Sequence, residues 1–188
     1  RALETLGPRY GLDVAGPGPD DRSRPGSLDR RAFAAAVQGW VGDRRLLIDV
    51  GVGRGDATVA WARDRTADAV LAVELHRPGL ALALIALDEA VAAGDVHPDA
   101  VRVVDADVRD VLAALSTGGC GRSALSPDAP PSGPCPDPHA VVEVAAVRVL
   151  FPDPWPKRRH RNRRLVDDRF VATVGDALAV GGTLHVAT

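Results

Sequence analysis

From Arg45 onward, short apolar runs alternate with longer amphipathic ones. "LLIDV" reads as a strand, "DATVAWARD" as a helix, "AVLAVEL" as a strand, "GLALALIALDEAVAAG" as a longer helix and "VRVVDAD" as a third strand. A short helix follows at "VRDVLAAL", then a strand at "AAVRVLF", and "LVDDRFVATVGDALAV" predicts a helix closed by Gly181 and Gly182. "TLHVAT" reads as a fifth strand. Continuous apolar strands separated by helices require crossover connections, so the predicted fold class is α/β, with a mostly parallel sheet covered by helices on both faces.

Before this repeat, "RALETLGPRYGL" predicts a short helix, "GPGPDDRSRPGS" a linker, and Leu28 to Trp40 a second helix. The chain thus divides into an N-terminal docking arm, residues 1–44, and a main domain, residues 45–188. Inside that domain, residues 116–140 are rich in Ser, Pro and Gly and read as a mobile loop insertion.

Composition narrows the picture. The net charge is −2, yet six of the eight residues from Lys157 to Arg164 are Lys or Arg and none is acidic. Such a concentrated cationic patch suits a polyanionic partner. No apolar run approaches the roughly 20 residues of a membrane span, and nothing N-terminal has the form of a secretory signal. The expected location is therefore cytoplasmic, with no membrane partner. Cys120 and Cys135 lie in the Ser/Pro/Gly-rich stretch without the clustered Cys and His of a zinc site, so no metal is expected. Met is absent, and the chain runs from Arg1 to an apolar end at Thr188, as a piece of a longer protein would.

In open parallel sheets ligands bind beyond the carboxyl ends of the strands, which directs attention to the acids there. "DVGVGRGD" places Asp49, Gly51, Gly53 and Gly55 in a D-x-G-x-G-x-G pattern. Asp56 stands where a dinucleotide fingerprint has its third Gly, and the Gly-Lys-Ser/Thr of a phosphate-binding P-loop is absent. A ligand with a ribose and a cationic tail but no phosphates fits better, and S-adenosylmethionine is one. Glu74 closes the second strand, where a carboxylate can accept both ribose hydroxyls. Asp107 follows the third strand, placed to accept from an adenine amino group or to cap the next helix.

The stretches "ALETLGPRYGL", "LLIDVGVGRGDATVA", "VELHRPG", "VRVVDADVRDVL", "VLFPDPWPKRRHRNRRLV" and "GGTLHVAT" together closely resemble the bacterial tRNA (guanine-N7)-methyltransferase family, "PDPWPKRRH" being the most specific. The resemblance implies a Rossmann-like class I methyltransferase and transfer of a methyl group from S-adenosylmethionine to N7 of the variable-loop guanine at position 46 of tRNA. It also implies donor contacts at Asp49, Gly51, Gly53, Gly55, Glu74 and Asp107, with Asp153 at the reacting centre as the catalytic residue, touching donor and substrate alike. Lys157 would contact the substrate. The family has Glu where this chain has Asp49, and it continues beyond "AT" with an Asp and a downstream Thr-Lys-x-Glu-type motif, so part of the family's site lies outside these residues.

Guanine N7 carries a lone pair and no proton, so its methylation needs alignment and charge stabilisation rather than a strong base. Asp153, between Pro152 and Pro154, suits that role. Trp155 either stacks on an exposed base or packs against the domain. Lys157, Arg158, Arg159, Arg161, Arg163 and Arg164 face tRNA phosphates, with His160 another phosphate or surface contact. Two other readings differ in target or in kind: "DPW" is similar to the loop of methyltransferases acting on exocyclic amines, and an inactive nucleoside- or RNA-binding domain would carry the same recognition surface. Either a monomer or a homodimer is compatible with the sequence.

Overall fold

The computed structural model describes residues 1–12, 28–116, 142–157, 159–160 and 164–188. The loop expected over residues 116–140 lies outside the described residues apart from Ser116, as do Cys120, Cys135 and the linker in the arm.

Two helices come first, α1 (Ala2–Tyr10) and α2 (Arg30–Val41). The alternation then runs β1 (Leu46–Val50), α3 (Asp56–Asp64), β2 (Ala69–Glu74), α4 (Arg77–Ala92), β3 (Val101–Asp105) and α5 (Val108–Leu115). It resumes with β4 (Val144–Leu150), α6 (Asp168–Ala177) and β5 (Leu178–Ala187). The five strands are all parallel and lie in the order β3-β2-β1-β4-β5. The chain winds outward from β1 through β2 to β3 and then crosses back to β4 on the other side of β1. That reversal opens a crevice at the carboxyl ends of β1 and β4, the place where sheets of this kind take their ligands.

Burial on both faces explains the unbroken apolar strands. All five residues of β1 and all six of β2 are buried. On one face Ile48, Val147 and Val149 meet Phe33 and Val37 of α2, Leu112 of α5 and Phe170 of α6. On the other, Leu47, Val70, Ala72 and Val103 meet Tyr10 of α1, Ala62 of α3 and Leu80, Leu84 and Leu87 of α4. Each helix therefore turns one apolar stripe to the sheet. No helix among the described residues is long and apolar enough to cross a membrane.

Side-chain caps fix several helix starts. Asp29 accepts from the amides of Arg31 and Ala32, so α2 begins at Arg30 rather than Leu28 and ends at Val41, one residue past Trp40. Asp167 caps α6 by accepting from the amide of Phe170 at 2.7 Å. The far end of α6 departs from the sequence expectation, because the helix stops at Ala177 and β5 starts at Leu178. Gly181 and Gly182 belong to an irregularity of this strand, not to a helix cap. The pairing steps from Val144 opposite Leu178 to Ala146 opposite Thr183, and the extra residues are taken up where Gly181 has φ +82°. A Cβ on Gly182 would lie 2.9 Å from the carbonyl oxygen of Ala179 and 3.1 Å from that of Val144. The two glycines let an irregular strand lie close to its neighbour.

The first helix is anchored by polar bonds as well as packing. The Tyr10 hydroxyl donates to Asp88 of α4 at 2.8 Å, and Arg9 donates to the same oxygen at 2.9 Å. Beyond the helix, the amide of Leu12 donates to the carbonyl of Val103 on the outer edge of β3. Burial first, and then the bond to Asp88, raises the Tyr10 phenol above its ordinary pKa of 10.0. With the folded pKa raised, the stabilisation is fully present below the ordinary value and is lost as pH rises through the raised one. Tyr10 is the only tyrosine of the chain, so ultraviolet absorbance reads it alone. The phenolate band is expected to rise late, in step with a fall in the urea midpoint, and Tyr10→Phe is expected to remove that alkaline slope at a cost of about 0.5–1.5 kcal/mol near neutrality. A phenol titrating at its ordinary value would show that the buried contact is not made.

Candidate active site

The site is assembled at the carboxyl ends of β2, β1 and β4. After Val50 the backbone enters the left-handed region at Gly51, Gly53 and Gly55, with φ of +68°, +53° and +86°. Gly55 is fixed by space as well, since a Cβ there would lie 2.8 Å from the Cα of Ala83. Its requirement comes from seating α3 on α4, while the turn at Gly51 and Gly53 faces outward.

Glu74, the last residue of β2, is only 9% exposed and is oriented entirely by the backbone. One carboxylate oxygen accepts from the amide of Gly53 at 2.9 Å and the other from the amide of His76 at 2.7 Å. Each oxygen thus keeps a further lone pair to offer a ligand. The glycine loop and the end of β2 are tied together through this one side chain.

Across the crevice, β4 ends at Leu150 and "FPDPW" follows. The apolar run "AAVRVLF" predicts a strand through Phe151. The structure instead puts Phe151 at φ +49° and 75% exposed, its amide donating to the carbonyl of Ala187 at 2.7 Å. Trp155 is at φ +34°. Two bulky residues in the left-handed region, one on each side of Asp153, are an unfavourable arrangement of the kind that clusters in functional segments.

The resulting cleft has a volume of about 540 Å³ and is lined by Val50, Gly51, Glu74, His76, Val149, Phe151, Asp153 and Trp155, among others. Of the expected site residues it gathers Gly51, Glu74, Asp153 and Trp155. Asp153 is exposed, and no described residue bonds its carboxylate. Trp155 is half-buried, with its ring edge-on to His160 at 5.4 Å and its carbonyl accepting from Arg164 at 3.2 and 3.3 Å. Lys157 and Arg159 are exposed on the same segment. Arg158, Arg161 and Arg163 lie outside the described residues.

Four of the expected donor contacts, Gly53, Gly55, Asp107 and Asp49, are not in the cleft lining. Asp107 is the N-cap of α5, its Oδ1 accepting from the amide of Arg109 at 2.9 Å. Asp49 is buried beneath the glycine loop. Its Oδ1 accepts from Nε of Arg148 at 3.1 Å, and its Oδ2 accepts from Nη2 of Arg148 at 2.7 Å and from the Thr58 hydroxyl at 2.6 Å. Three residues near the site were not singled out from sequence. Arg148 is a cation inside an apolar strand, a signal that was available. His76 caps α4 through Nδ1, accepting from the amide of Gly79 at 3.3 Å, a bond hidden in the short "ELHRPG" connection. Phe151 had no signal, because an apolar residue ending an apolar run reads as strand. Among the described residues, no group of three or more His, Cys, Asp or Glu is placed to hold a metal ion.

The family model described as "Putative methyltransferase" matches residues 139–188. The tRNA (guanine-N(7)-)-methyltransferase of Mycolicibacterium paratuberculosis is 35% identical over 183 residues, covering 96% of this chain and 56% of that protein. The proteins of the same name from Acidovorax sp. and Alkalilimnicola ehrlichii are 33% and 32% identical, each covering 100% of this chain and 57% and 62% of their own length. The chain therefore spans a little over half the length of these relatives. Among solved structures, the aminoglycoside resistance methyltransferase NpmB1 superposes with a TM-score of 0.52 at 16% identity, over 81% of this chain and 60% of that one. That likeness is one of fold. Along nearly its whole length this chain is similar to proteins named tRNA (guanine-N(7)-)-methyltransferase.

Proposed function

We propose that the protein methylates N7 of guanine in tRNA, at position 46 of the variable loop, using S-adenosylmethionine. The observation that carries this reading is the cleft at the strand reversal. It sets a buried, backbone-oriented Glu74 on one wall and an exposed Asp153 on the other, with cations following directly on the Asp153 side. The names of the relatives point to the same substrate class, and tRNA as substrate implies the cytoplasm.

The residues present fit the donor. A cleft of about 540 Å³ lies within the range of roughly 300–1,000 Å³ typical for small-molecule sites. Glu74 has the lone pairs to accept a ribose diol, and Gly51 exposes backbone where a side chain would obstruct. Bound there, S-adenosylmethionine supplies a methyl group on a positively charged sulfur. The glycine loop and Glu74 orient the nucleoside. Asp107, as a helix cap, contributes through the position of the α5 N-terminus, and Asp49 through the loop above it.

On the other wall, Asp153 accepts hydrogen bonds from the guanine edge and offsets the positive charge that the base acquires. N7 has no proton to lose, so no side chain is required as a base. Phe151 and Trp155 flank the acid with aromatic surface on which a base can rest. Lys157, Arg159 and Arg164, with Arg158, Arg161 and Arg163, bind phosphates and set the register of the RNA.

Single-turnover methylation of unmodified tRNA, with the product nucleoside identified by mass spectrometry, tests the reading directly. Asp153→Ala is expected to lower the rate by about 10²–10³ with little change in donor affinity. Near-normal rates would remove Asp153 from the reaction, and methyl groups appearing only on an exocyclic amine would replace the substrate assignment.

Glu74→Ala is expected to do the converse, weakening donor binding by roughly 2–4 kcal/mol in calorimetry as two charge-assisted bonds disappear. Unchanged affinity would place the ribose elsewhere. For the RNA surface, Lys157→Ala is expected to reduce the slope of log affinity against log salt by about one unit for each phosphate that the side chain neutralises. A slope unaffected by that change would separate the cationic segment from tRNA binding.

A further inference from the structure

We infer that Arg148 is a positioning residue of the methyl-donor site, acting through Asp49 on the glycine loop, and that Asp49 is its anchor rather than a direct donor ligand. The inference rests on the cleft being the donor site, as proposed above. Arg148 in β4 stands directly opposite Asp49 in β1, so the parallel register alone brings the two side chains together. The guanidinium meets both oxygens of Asp49, and Nη2 also donates to the carbonyl of Ala57 in the first turn of α3 at 2.9 Å. Its flat face lies over the ring of Trp61, 4.1 Å from the centroid. The side chains of Arg148 and Asp49 are 15% and 3% exposed.

These contacts close around the loop from both ends. Asp49 lies two residues before Gly51, while Ala57 and Thr58 follow Gly55 at the start of α3. Arg148 and the Thr58 hydroxyl therefore fix where the loop leaves β1 and where it enters the helix. Between those points the amide of Gly53 meets Glu74, so the loop's placement is passed to the carboxylate that faces the cleft. Asp49 has its charge compensated and three donors on its two oxygens. A ligand amine reaching it would have to displace a bidentate pair in a site of low exposure. Only a planar fork serves all these contacts at once. A lysine ammonium in its place would reach one or two of them and could not stack in the same way.

The test compares Arg148→Met, Asp49→Asn, the double variant and Arg148→Lys with the unmodified chain. Two quantities are measured: S-adenosylmethionine affinity by calorimetry, and amide hydrogen exchange in peptides covering residues 51–55. Arg148→Met is expected to weaken donor binding roughly 10- to 100-fold and to speed exchange in the loop, because it leaves Asp49 charged and unpaired. The double variant, which removes both charges, is expected to bind better than Arg148→Met by about tenfold and to recover slower exchange in the loop. Arg148→Lys is expected to fall between. If Arg148→Met does not fold, the lysine and double variants carry the same comparison. A double variant as impaired in affinity as Asp49→Asn, together with normal loop exchange in Arg148→Lys, would make Asp49 a direct ligand and overturn the inference. Should the unmodified chain bind no S-adenosylmethionine, the proposed function fails on that result. Loop exchange then decides the inference alone: faster in Arg148→Lys and restored in the double variant supports it, and unchanged overturns it.

Discussion

The ion pair between Asp49 and Arg148 is the constraint on which the site depends. It joins the two strands on either side of the reversal, reaches α3 through Ala57 and Thr58, and lies directly beneath the glycine loop. Burying two charges is costly unless nearly every donor and acceptor is satisfied. Here the satisfaction comes from β1, from α3 just after it and from β4, whose Arg148 is 99 residues from Asp49, so the full set of bonds forms only when β1, β4 and α3 are in place together. A shift of one residue between β1 and β4 would turn the paired side chains to opposite faces and leave each charge alone. The pair therefore specifies register, whatever it contributes to net stability.

The two halves of the crevice are built by different physics. Glu74 is held by amides of its own neighbourhood, one from the loop after β1 and one from the start of the connection after β2. Its orientation follows from backbone geometry and needs no second side chain. Asp153 is held by chain stiffness, with prolines on both sides and left-handed residues at Phe151 and Trp155. The carbonyl of Trp155 is bonded by Arg164, and the amide of Phe151 by the end of β5. The first arrangement suits a ligand bound in one fixed pose. The second presents an acid and two aromatic rings at the surface, where a large substrate can approach.

The strands were legible because burial on both faces leaves short unbroken apolar runs, and most helices because their apolar positions extend over longer segments. The limits of legibility lie where tertiary contacts override local preference. "DALAV" followed by two glycines has the form of a helix end, yet Leu178 already pairs with Val144 and the glycines serve a strand irregularity. Glu74 and Asp153 were recognisable as acids at strand ends, and both line the cleft. Asp49 and Asp107 satisfied the same rule and do not. For Asp107 the alternative of a helix cap was visible in advance, and it is what the structure contains. For Asp49 the deciding partner, Arg148, is 99 residues away in sequence. No local pattern relates the two positions; only the strand order does.

That distance has a mechanistic consequence. A carboxylate at the end of the first strand of an open sheet is read most simply as a ligand contact, since ligands gather there. In this chain the neighbouring strand supplies a cation at the same level, and the carboxylate turns down into the sheet instead of up into the crevice. The glycine loop then gains a rigid base, and in the proposed donor site the direct contacts fall to the groups that line the cleft: the exposed backbone of Gly51, the lone pairs of Glu74 and the apolar floor of Val50 and Val149. The proposed preference for a nucleoside without phosphates is in keeping with the same arrangement. The crevice presents acceptor oxygens and backbone, while the guanidinium of Arg148 beneath the loop is already committed to Asp49.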